Sequence, residues 1–169
     1  MATAEKKGLL LPEHQGIAAA QMMRLNKVGE QLGKVQGVTA LTDVTGFGLL
    51  GHLAEMTEGS GLTALISFEQ VPLIIDELRH YIDLQSVPGG TGRNWESYGE
   101  KIGPLDPYQK AILADPQTSG GLLVAVKPSS IEEVREIFRH NGLEQFLTPI
   151  GEMVQRQKKL IYVESLLPA

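Results

Sequence analysis

The sequence predicts a mixed α and β fold in which short helices pack against a β-sheet. Apolar residues recur at helical spacing in some segments and alternate with period two, or form short apolar runs, in others. Glycine and proline clusters separate the two kinds of segment, and there is no internal repeat or low-complexity linker. We therefore expect residues 11–169 to form a single domain with about four to six strands. Residues 1–10 follow neither pattern and are expected to be flexible.

The composition is typical of a globular protein. Of the 169 residues, 42% are hydrophobic and 21% are charged, and the formal net charge is −5. This acidic balance argues against a primary nucleic-acid partner, because phosphate backbones require clustered Lys and Arg. The one basic run, residues 156–159, is interpreted as a turn between strands. No apolar run approaches the ~18 residues of a membrane span and the N-terminus lacks a signal-peptide core, so we expect no membrane partner and a cytoplasmic location.

The first half of the chain predicts three helices and two strands. Helical spacing over residues 12–32 is followed by a short buried strand at residues 38–41. A second helical pattern begins at Leu49 and is expected to end at the glycines of residues 59–61, since glycine permits the left-handed cap. The remaining two elements are a strand over residues 62–68 and a helix over residues 72–82, with Pro72 at its start.

The second half of the chain predicts two loops, two helices and three strands. Residues 87–103 contain five glycines and are expected to form a long loop, and residues 115–121 are expected to form another loop. A short helix over residues 106–114 lies between them. Residues 122–126 are apolar throughout, which predicts a central strand. The other elements are a helix capped by Ser130 and Glu133 and closed by Asn141 and Gly142, followed by strands over residues 147–150 and 159–163.

One carboxylate stands at the junction between a predicted strand and a predicted helix. Asp43 follows the strand at residues 38–41, and a glycine-punctuated turn follows it before the helical pattern starts at Leu49. Exposed N–H groups and the helix dipole favour anions at such a junction. A carboxylate beside an anion site is suited to bind a bridging cation such as Mg²⁺. The structural alternative is that Asp43 caps the helix or forms an Asx turn.

The turn after Asp43 contributes further candidates. Thr45 can donate or accept near a phosphate, or it can cap the helix. Gly46 and Gly48 permit either close backbone approach or a positive φ, and both roles suit an anion-binding turn as well as an ordinary one.

Two further loops contain candidate ligand-binding residues. Arg93 follows three glycines and can clamp an anion with two hydrogen bonds, or it can pair with a surface carboxylate. Thr118 and Ser119 precede Gly120 and Gly121, and this arrangement resembles a nest of polar donors. A simple turn before the strand at residues 122–126 explains the same pattern.

Other common catalytic arrangements are not evident in this sequence. The absence of cysteine excludes disulfides, thiolate catalysis and Cys-ligated zinc within these 169 residues. His52 and Glu55 can share a helix face, but no supporting ligand pair completes a metal site. His14, His80 and His140 are isolated and are interpreted as ordinary surface or core histidines.

Three segments together resemble selenophosphate synthetase, also called selenide, water dikinase. They are TDVTGFGLLGH at residues 42–52, PGGTGRN at residues 88–94 and DPQTSGGL at residues 115–122, here termed the first, second and third motifs. Their order and spacing are similar to those of the family, and the resemblance extends over nearly the whole chain.

The resemblance implies that the chain is the C-terminal half of a larger enzyme. In this family the nucleophilic Cys or selenocysteine, an essential Lys and most metal-binding aspartates lie in an N-terminal domain that this chain does not contain. The C-terminal domains of the wider group, which includes aminoimidazole ribonucleotide synthetase, resemble a three-layer α/β/α arrangement with a partly ferredoxin-like mixed sheet. The resemblance also implies that Asp43 is the one Mg²⁺ ligand in this half.

The implied substrates and partners follow from the same resemblance. Family enzymes convert ATP, selenide and water to selenophosphate, AMP and phosphate, so ATP, Mg²⁺, selenide and the chain's own N-terminal domain are the expected ligands and partners. A homodimer is expected for the full-length protein, and the isolated fragment is expected to be inactive. Thr45, Gly46, Gly48, Arg93, Thr118 and Ser119 are candidates for lining the ATP site.

Two alternatives remain open at the level of sequence. The chain can belong to another ATP-dependent branch of the same group, such as a purine-pathway synthetase or a hydrogenase-maturation enzyme. It can also be a non-catalytic binding module that retains the fold.

Overall fold

The computed structural model describes residues 1–164, which form an α+β fold with two separate β-sheets. The eight α-helices of this region are α1 (Ala2–Lys6), α2 (Ile17–Met22), α3 (Val28–Leu32), α4 (Gly48–Ser60), α5 (Leu78–Asp83), α6 (Gly89–Tyr98), α7 (Pro107–Leu113) and α8 (Ile131–His140). Its five strands are β1 (Val38–Asp43), β2 (Leu62–Ser67), β3 (Leu122–Val126), β4 (Gly151–Gln155) and β5 (Ile161–Glu164). None of these helices is long and apolar enough to cross a membrane.

The two sheets differ in size and in strand direction. In the smaller sheet β1 pairs antiparallel with β3, and Asp43 lies opposite Leu122. In the larger sheet β2 lies between β4, which is antiparallel to it, and β5, which is parallel to it. The prediction that β3 is a central strand is wrong, because β3 pairs only with β1 in the described region. Its apolar residues are covered by packing on both faces rather than by flanking strands.

Two hydrophobic clusters stabilise the fold on either side of the smaller sheet. The first cluster is built around Leu50, Leu113 and Ile161 and joins α4, α6 and α7 to the larger sheet. The second cluster is built around Leu32 and Val134 and joins α3 and α8 to the other face of β1 and β3. The small sheet therefore lies between two apolar layers.

Several elements confirm the predicted pattern. The helix predicted from Leu49 is α4. It ends at Gly61, whose φ of +68° is the left-handed cap that glycine permits. The helix over residues 106–114 is α7, with Pro107 in its first turn. The strand over residues 62–68 is β2, and the basic run at residues 156–159 lies in the turn between β4 and β5.

The N-terminal third differs from its sequence prediction. Residues 1–10 show no helical pattern, yet they include α1, whose Ala4 is fully buried. The helix predicted over residues 12–32 is divided into a short 3-10 turn, α2 and α3. Gly16 adopts a φ of +79°, which interrupts the helix before α2. Leu25 is 74% exposed, because it lies in the turn between α2 and α3 and not in a helix.

The long loop predicted over residues 87–103 is wrong, because this segment contains α6. The buried residues of α6 are Thr91, Asn94 and Tyr98, which are polar or amphipathic side chains at helical spacing. A search for apolar periodicity misses such a helix. This correction moves Arg93 and Asn94 from a loop to a helix, where they point in different directions.

Three smaller predictions are also wrong. Ser130 precedes α8 but makes no capping hydrogen bond, because its side chain lies against the backbone at Gly37. The helix predicted from Pro72 begins only at Leu78, and Tyr81 anchors it in the core. The strand predicted over residues 147–150 lies too early in the sequence, because the observed strand, β4, begins at Gly151.

Candidate functional site

The carboxylate of Asp43 lies at the exposed end of β1, where the first motif turns toward α4. Asp43 is the last residue of the strand, and its side chain makes no hydrogen bond or ion pair within residues 1–164. The alternative role as a helix cap is wrong, because Phe47 occupies the N-cap position of α4 and no side chain caps this helix. The carboxylate therefore remains available to a ligand.

The backbone after Asp43 is fixed against the third motif. We call residues 44–47 the first loop and residues 114–121 the third loop. The N–H of Val44 donates to the carbonyl of Gly121 over 2.9 Å, and the N–H of Gln117 donates to the carbonyl of Thr45 over 3.0 Å. A Cβ atom at Gly120 would lie 2.1 Å from the Val44 carbonyl oxygen. The two loops thus pack together backbone to backbone.

The buried ring of His52 holds Thr45 from the side of α4. The N–H of Thr45 donates to Nε2 of His52 over 3.0 Å, and the Thr45 hydroxyl lies 3.2 Å from the same nitrogen. Because a backbone N–H can only donate, Nε2 is the acceptor and the ring proton is on Nδ1. Nδ1 lies 3.6 Å from the Glu55 carboxylate. His52, which shares a helix face with Glu55, therefore orients the first loop through Thr45.

The second motif reaches both loops through α6. The carboxamide of Asn94 donates to the carbonyl of Gly46 over 2.8 Å and to the carbonyl of Ala114 over 3.0 Å. On the same helix, a Cβ atom at Gly90 would lie 2.8 Å from the Pro116 ring. The three motifs, which are spread over residues 42–122 of the sequence, therefore converge on one site.

Two glycines of the first motif have different surroundings. Gly48 has a φ of +69°, and a Cβ atom there would lie 2.8 Å from the backbone carbon of Ala114. Gly46 has no atom within 4 Å of the Cβ position. The N–H groups of Gly46 and Phe47 have no acceptor within residues 1–164, so these donors face solvent at the start of α4. Such donors are suited to an anion.

Asp115 is a second carboxyl group at the site, in the third loop. Burial raises the pKa of Asp115 to about 6, although the N-terminal ammonium group and hydrogen bonds from Gln117 and Thr91 act in the opposite direction. The Gln117 amide lies 2.9 Å from one carboxylate oxygen, and the Thr91 hydroxyl lies 3.5 Å from the other. A perturbed carboxyl beside converging loops is a feature of functional sites.

The other predicted ligand residues are exposed. Arg93 points away from the packed face of α6 and forms no ion pair with a carboxylate in the described part of the chain. Thr118 and Ser119 lie at the exposed tip of the third loop, and Ser119 has a φ of +52°, which is uncommon for a residue other than glycine. Their assignment to an ATP site remains a prediction.

No complete metal centre exists within residues 1–164, since no three His, Asp or Glu side chains are grouped closely enough to hold an ion. His14 is buried, with Nδ1 2.6 Å from the Tyr81 hydroxyl, and His80 and His140 are exposed. His14 thus lies in the core, and His80 and His140 lie at the surface.

Comparison with known proteins identifies the family. Residues 2–164 match the family described as AIR synthase related protein, C-terminal domain. The chain belongs to this family. Its α+β fold is therefore that of an AIR synthase related C-terminal domain.

Individual relatives have a more specific name. Proteins named selenide, water dikinase from Photorhabdus laumondii and Colwellia psychrerythraea are 54% and 56% identical to the chain over 164 and 154 residues. A third, from Haemophilus influenzae, is 52% identical over 164 residues. These matches cover 97%, 91% and 97% of the chain but only 46%, 44% and 46% of the relatives. The chain thus spans about half the length of the curated relatives it matches.

Three residues of the site had no assigned role in the sequence. The sequence predicts a loop at Asn94 and a turn at Asp115, and it indicates His52 only as a member of an incomplete metal site. The available signal was the order of the three motifs, which indicates that they share a site. The contacts between them depend on tertiary packing and on buried polar groups that show no periodicity.

Proposed function

We propose that this chain is the C-terminal half of an ATP-dependent selenophosphate synthetase, which converts ATP, selenide and water to selenophosphate, AMP and phosphate. In this proposal Asp43 binds Mg²⁺, and the three motifs form one wall of the ATP site. The observation that carries the proposal is the exposed, unpaired carboxylate of Asp43 at the convergence of the three motifs. The names of the relatives support the choice of reaction.

The residues at this position fit a magnesium ion. Mg²⁺ prefers oxygen ligands and is typically held by one or two carboxylates together with phosphate oxygens and water. Asp43 offers one such carboxylate, and the exposed residues Gly46 and Phe47, whose N–H groups have no acceptor within residues 1–164, follow it in the same motif. When bound, the ion neutralises polyphosphate charge during phosphoryl transfer. The further ligands are proposed to come from the N-terminal half.

The remaining candidates are proposed to contact ATP rather than the metal. Gly46 allows the backbone of the first loop to approach a phosphate, and Gly48 supports that loop by packing closely against the Ala114 backbone. Thr45 fixes the loop backbone through His52. Arg93, Thr118 and Ser119 offer exposed donors around the loops. Because a guanidinium binds phosphate through two parallel hydrogen bonds, the unpaired side chain of Arg93 suits an anionic substrate.

An exposed apolar surface beside the site supports a role for the N-terminal half as partner. Met23 is 75% exposed, Leu25 is 74% exposed and Phe47 is 53% exposed. The turn that carries Met23 and Leu25 is tied to the third loop, because the Asn26 amide donates to the Gly120 carbonyl over 2.9 Å. We propose that the N-terminal half covers this surface in a cytoplasmic, homodimeric enzyme and that the isolated chain is inactive.

The test is the Mg²⁺ dependence of selenide-dependent AMP formation by the full-length enzyme that contains this chain. At low Mg²⁺ we expect Asp43→Asn to reduce the rate by about 100-fold, because a charged ligand to the ion is lost. Excess Mg²⁺ should restore part of the activity. Asp83→Asn, at an exposed aspartate of α5, is the matched control.

Each result has a distinct meaning. Unchanged activity and Mg²⁺ dependence in Asp43→Asn would reduce Asp43 to a turn residue. ATP turnover without selenide dependence in the unmodified enzyme would favour another ATP-dependent branch of the family. Absence of any ATP turnover by the full-length protein would favour a non-catalytic binding module. Selenide-dependent AMP formation by the isolated 169-residue chain would refute its dependence on a second half.

A further inference from the structure

We propose that Asn94 is the positioning residue of this site and that its carboxamide holds the first loop, and with it the Asp43 carboxylate, in register with the third loop. This inference rests on the proposed function, in which Asp43 binds Mg²⁺. In this inference the second motif acts on the site through Asn94. The sequence indicated Arg93 instead, as an anion ligand.

The evidence is the geometry of one buried amide group. Asn94 is only 8% exposed, and its Nδ2 donates over 2.8 Å to the carbonyl of Gly46 and over 3.0 Å to the carbonyl of Ala114. Gly46 lies three residues after Asp43, and Ala114 directly precedes Asp115. Because both protons of one nitrogen are used, the separation of the two carbonyl groups is fixed.

On the α6 side, the first loop is held at two carbonyl groups, Gly46 by Asn94 and Phe47 by Tyr98. Its opposite side is held through Val44 and Thr45, whose backbone groups bond to Gly121, His52 and Gln117. The Gly46 carbonyl accepts a hydrogen bond from Asn94 alone among residues 1–164. Removal of the amide would leave the buried Ala114 carbonyl without a donor, which is costly, and would release the partly buried Gly46 carbonyl.

The orientation of α6 explains why the neighbouring arginine does not make this contact. Asn94 lies on the buried face with Thr91 and Tyr98, whereas Arg93 is exposed. Tyr98 adds a second contact from the same face, because its hydroxyl donates to the Phe47 carbonyl over 2.7 Å. The helix therefore holds two successive carbonyl groups of the first motif, and only Asn94 also reaches the third loop.

The first experiment measures amide hydrogen exchange in the 169-residue chain and does not depend on catalysis. Asn94→Leu removes both donors at similar size, and Asn94→Asp replaces them with a carboxylate that repels the two carbonyl groups. We expect the amide exchange rate of peptides covering residues 43–50 to rise at least about tenfold in either variant. This rise is measured after subtracting the exchange that global unfolding accounts for, which denaturant unfolding determines. Asn141→Leu, which removes an exposed two-donor carboxamide at the end of α8, is the matched control.

The second experiment measures the Mg²⁺ concentration for half-maximal activity in the full-length enzyme. We expect Asn94→Leu to raise this concentration at least about tenfold while activity at saturating Mg²⁺ recovers, because the ligand is displaced and not removed. The control Asn141→Leu should leave both values unchanged.

The outcomes separate the inference from the proposed function. Local exchange that is unchanged, or that rises only in proportion to global unfolding in both variants, would overturn the role of Asn94. Faster local exchange with an unchanged Mg²⁺ requirement would restrict Asn94 to a structural role and overturn its positioning of Asp43. If Asp43→Asn itself leaves the Mg²⁺ requirement unchanged, the proposed function fails, whereas the exchange result still stands.

Discussion

At the scale of single residues, Gly46 and Gly48 show that neighbouring glycines in one motif meet different demands. Both are expected from the sequence to allow close approach or positive φ, and the sequence offers no way to distinguish them. The structure shows that only Gly48 combines a left-handed backbone with a close backbone neighbour, whereas Gly46 faces open space. Gly48 is therefore required by the fold, and Gly46 remains available for a ligand.

Substitution of these glycines should therefore separate stability from binding. Gly48→Ala is expected to lower the free energy of unfolding by at least about 2 kcal/mol, since it adds backbone strain and a steric clash. Gly46→Ala should change it by less than about 0.5 kcal/mol. Urea unfolding of the 169-residue chain measures both values. Equal destabilisation by the two variants would contradict this assignment.

Asp115 predicts a pH dependence of stability. Its pKa is about 6 in the folded chain, compared with 3.8 for an ordinary aspartate. The folded state therefore keeps the proton that the unfolded state releases, and the free energy of unfolding falls as the pH rises between about 4 and 6. The raised pKa thus contributes no stability at neutral pH, where the buried carboxylate is charged.

Asp115→Asn should remove this loss. The unfolding free energy of the variant minus that of the unmodified chain is expected to rise by about 1 kcal/mol between pH 4 and pH 7.5. This value is reduced because Asp115 is partly exposed to solvent. Urea unfolding at the two pH values provides the measurement, and Asp83→Asn controls for the change in net charge. A difference between Asp115→Asn and the unmodified chain that stays constant with pH would refute the assignment.

At the scale of the element, helices were predictable where their buried face is apolar and their ends follow standard rules. α4 and α8 satisfy the apolar spacing, and glycine closes α4. α6 was missed because its buried residues are Thr91, Asn94 and Tyr98, and because glycines occupy its first turn. Glycine lowers helix propensity, so only tertiary packing makes this segment helical.

Helix capping provides a test at this scale. The sequence suggests a capping box at Ser130, but the structure has its capping box at Asp106, whose side chain accepts from the N–H groups of Tyr108 and Gln109. Asp106→Ala should lower the free energy of unfolding by about 1 kcal/mol. Ser130→Ala should have an effect below about 0.5 kcal/mol. The opposite order of effects in urea unfolding would contradict the observed caps.

At the scale of the whole molecule, two apolar clusters share one small sheet. β3 contributes Leu123 to the first cluster and Leu122, Val124 and Val126 to the second. Because successive side chains of β3 point to opposite faces of the sheet, this strand joins the first and second clusters. We therefore expect the chain to unfold as one cooperative unit, which is the behaviour of the single domain predicted from the sequence.

The only tryptophan allows this cooperativity to be measured. Trp95 packs against the first cluster, whereas Leu32 is fully buried in the second. Leu32→Ala should lower the free energy of unfolding by about 2–5 kcal/mol, and it should shift the Trp95 fluorescence transition together with the circular dichroism transition. The control Leu25→Ala, at a 74% exposed position, should leave both transitions in place. A fluorescence transition that Leu32→Ala does not move would indicate two independent units.

The sequence by itself determined the α+β class, most strand segments, the family resemblance and the three motifs. These features depend on local pattern, turn chemistry and motif order, which are written along the chain. Only the tertiary structure decided that two sheets form instead of one, that the second motif is helical, and that Asn94 joins the first and third loops. These outcomes depend on packing and on buried hydrogen bonds between residues far apart in sequence, and such contacts have no local periodicity from which they could be predicted.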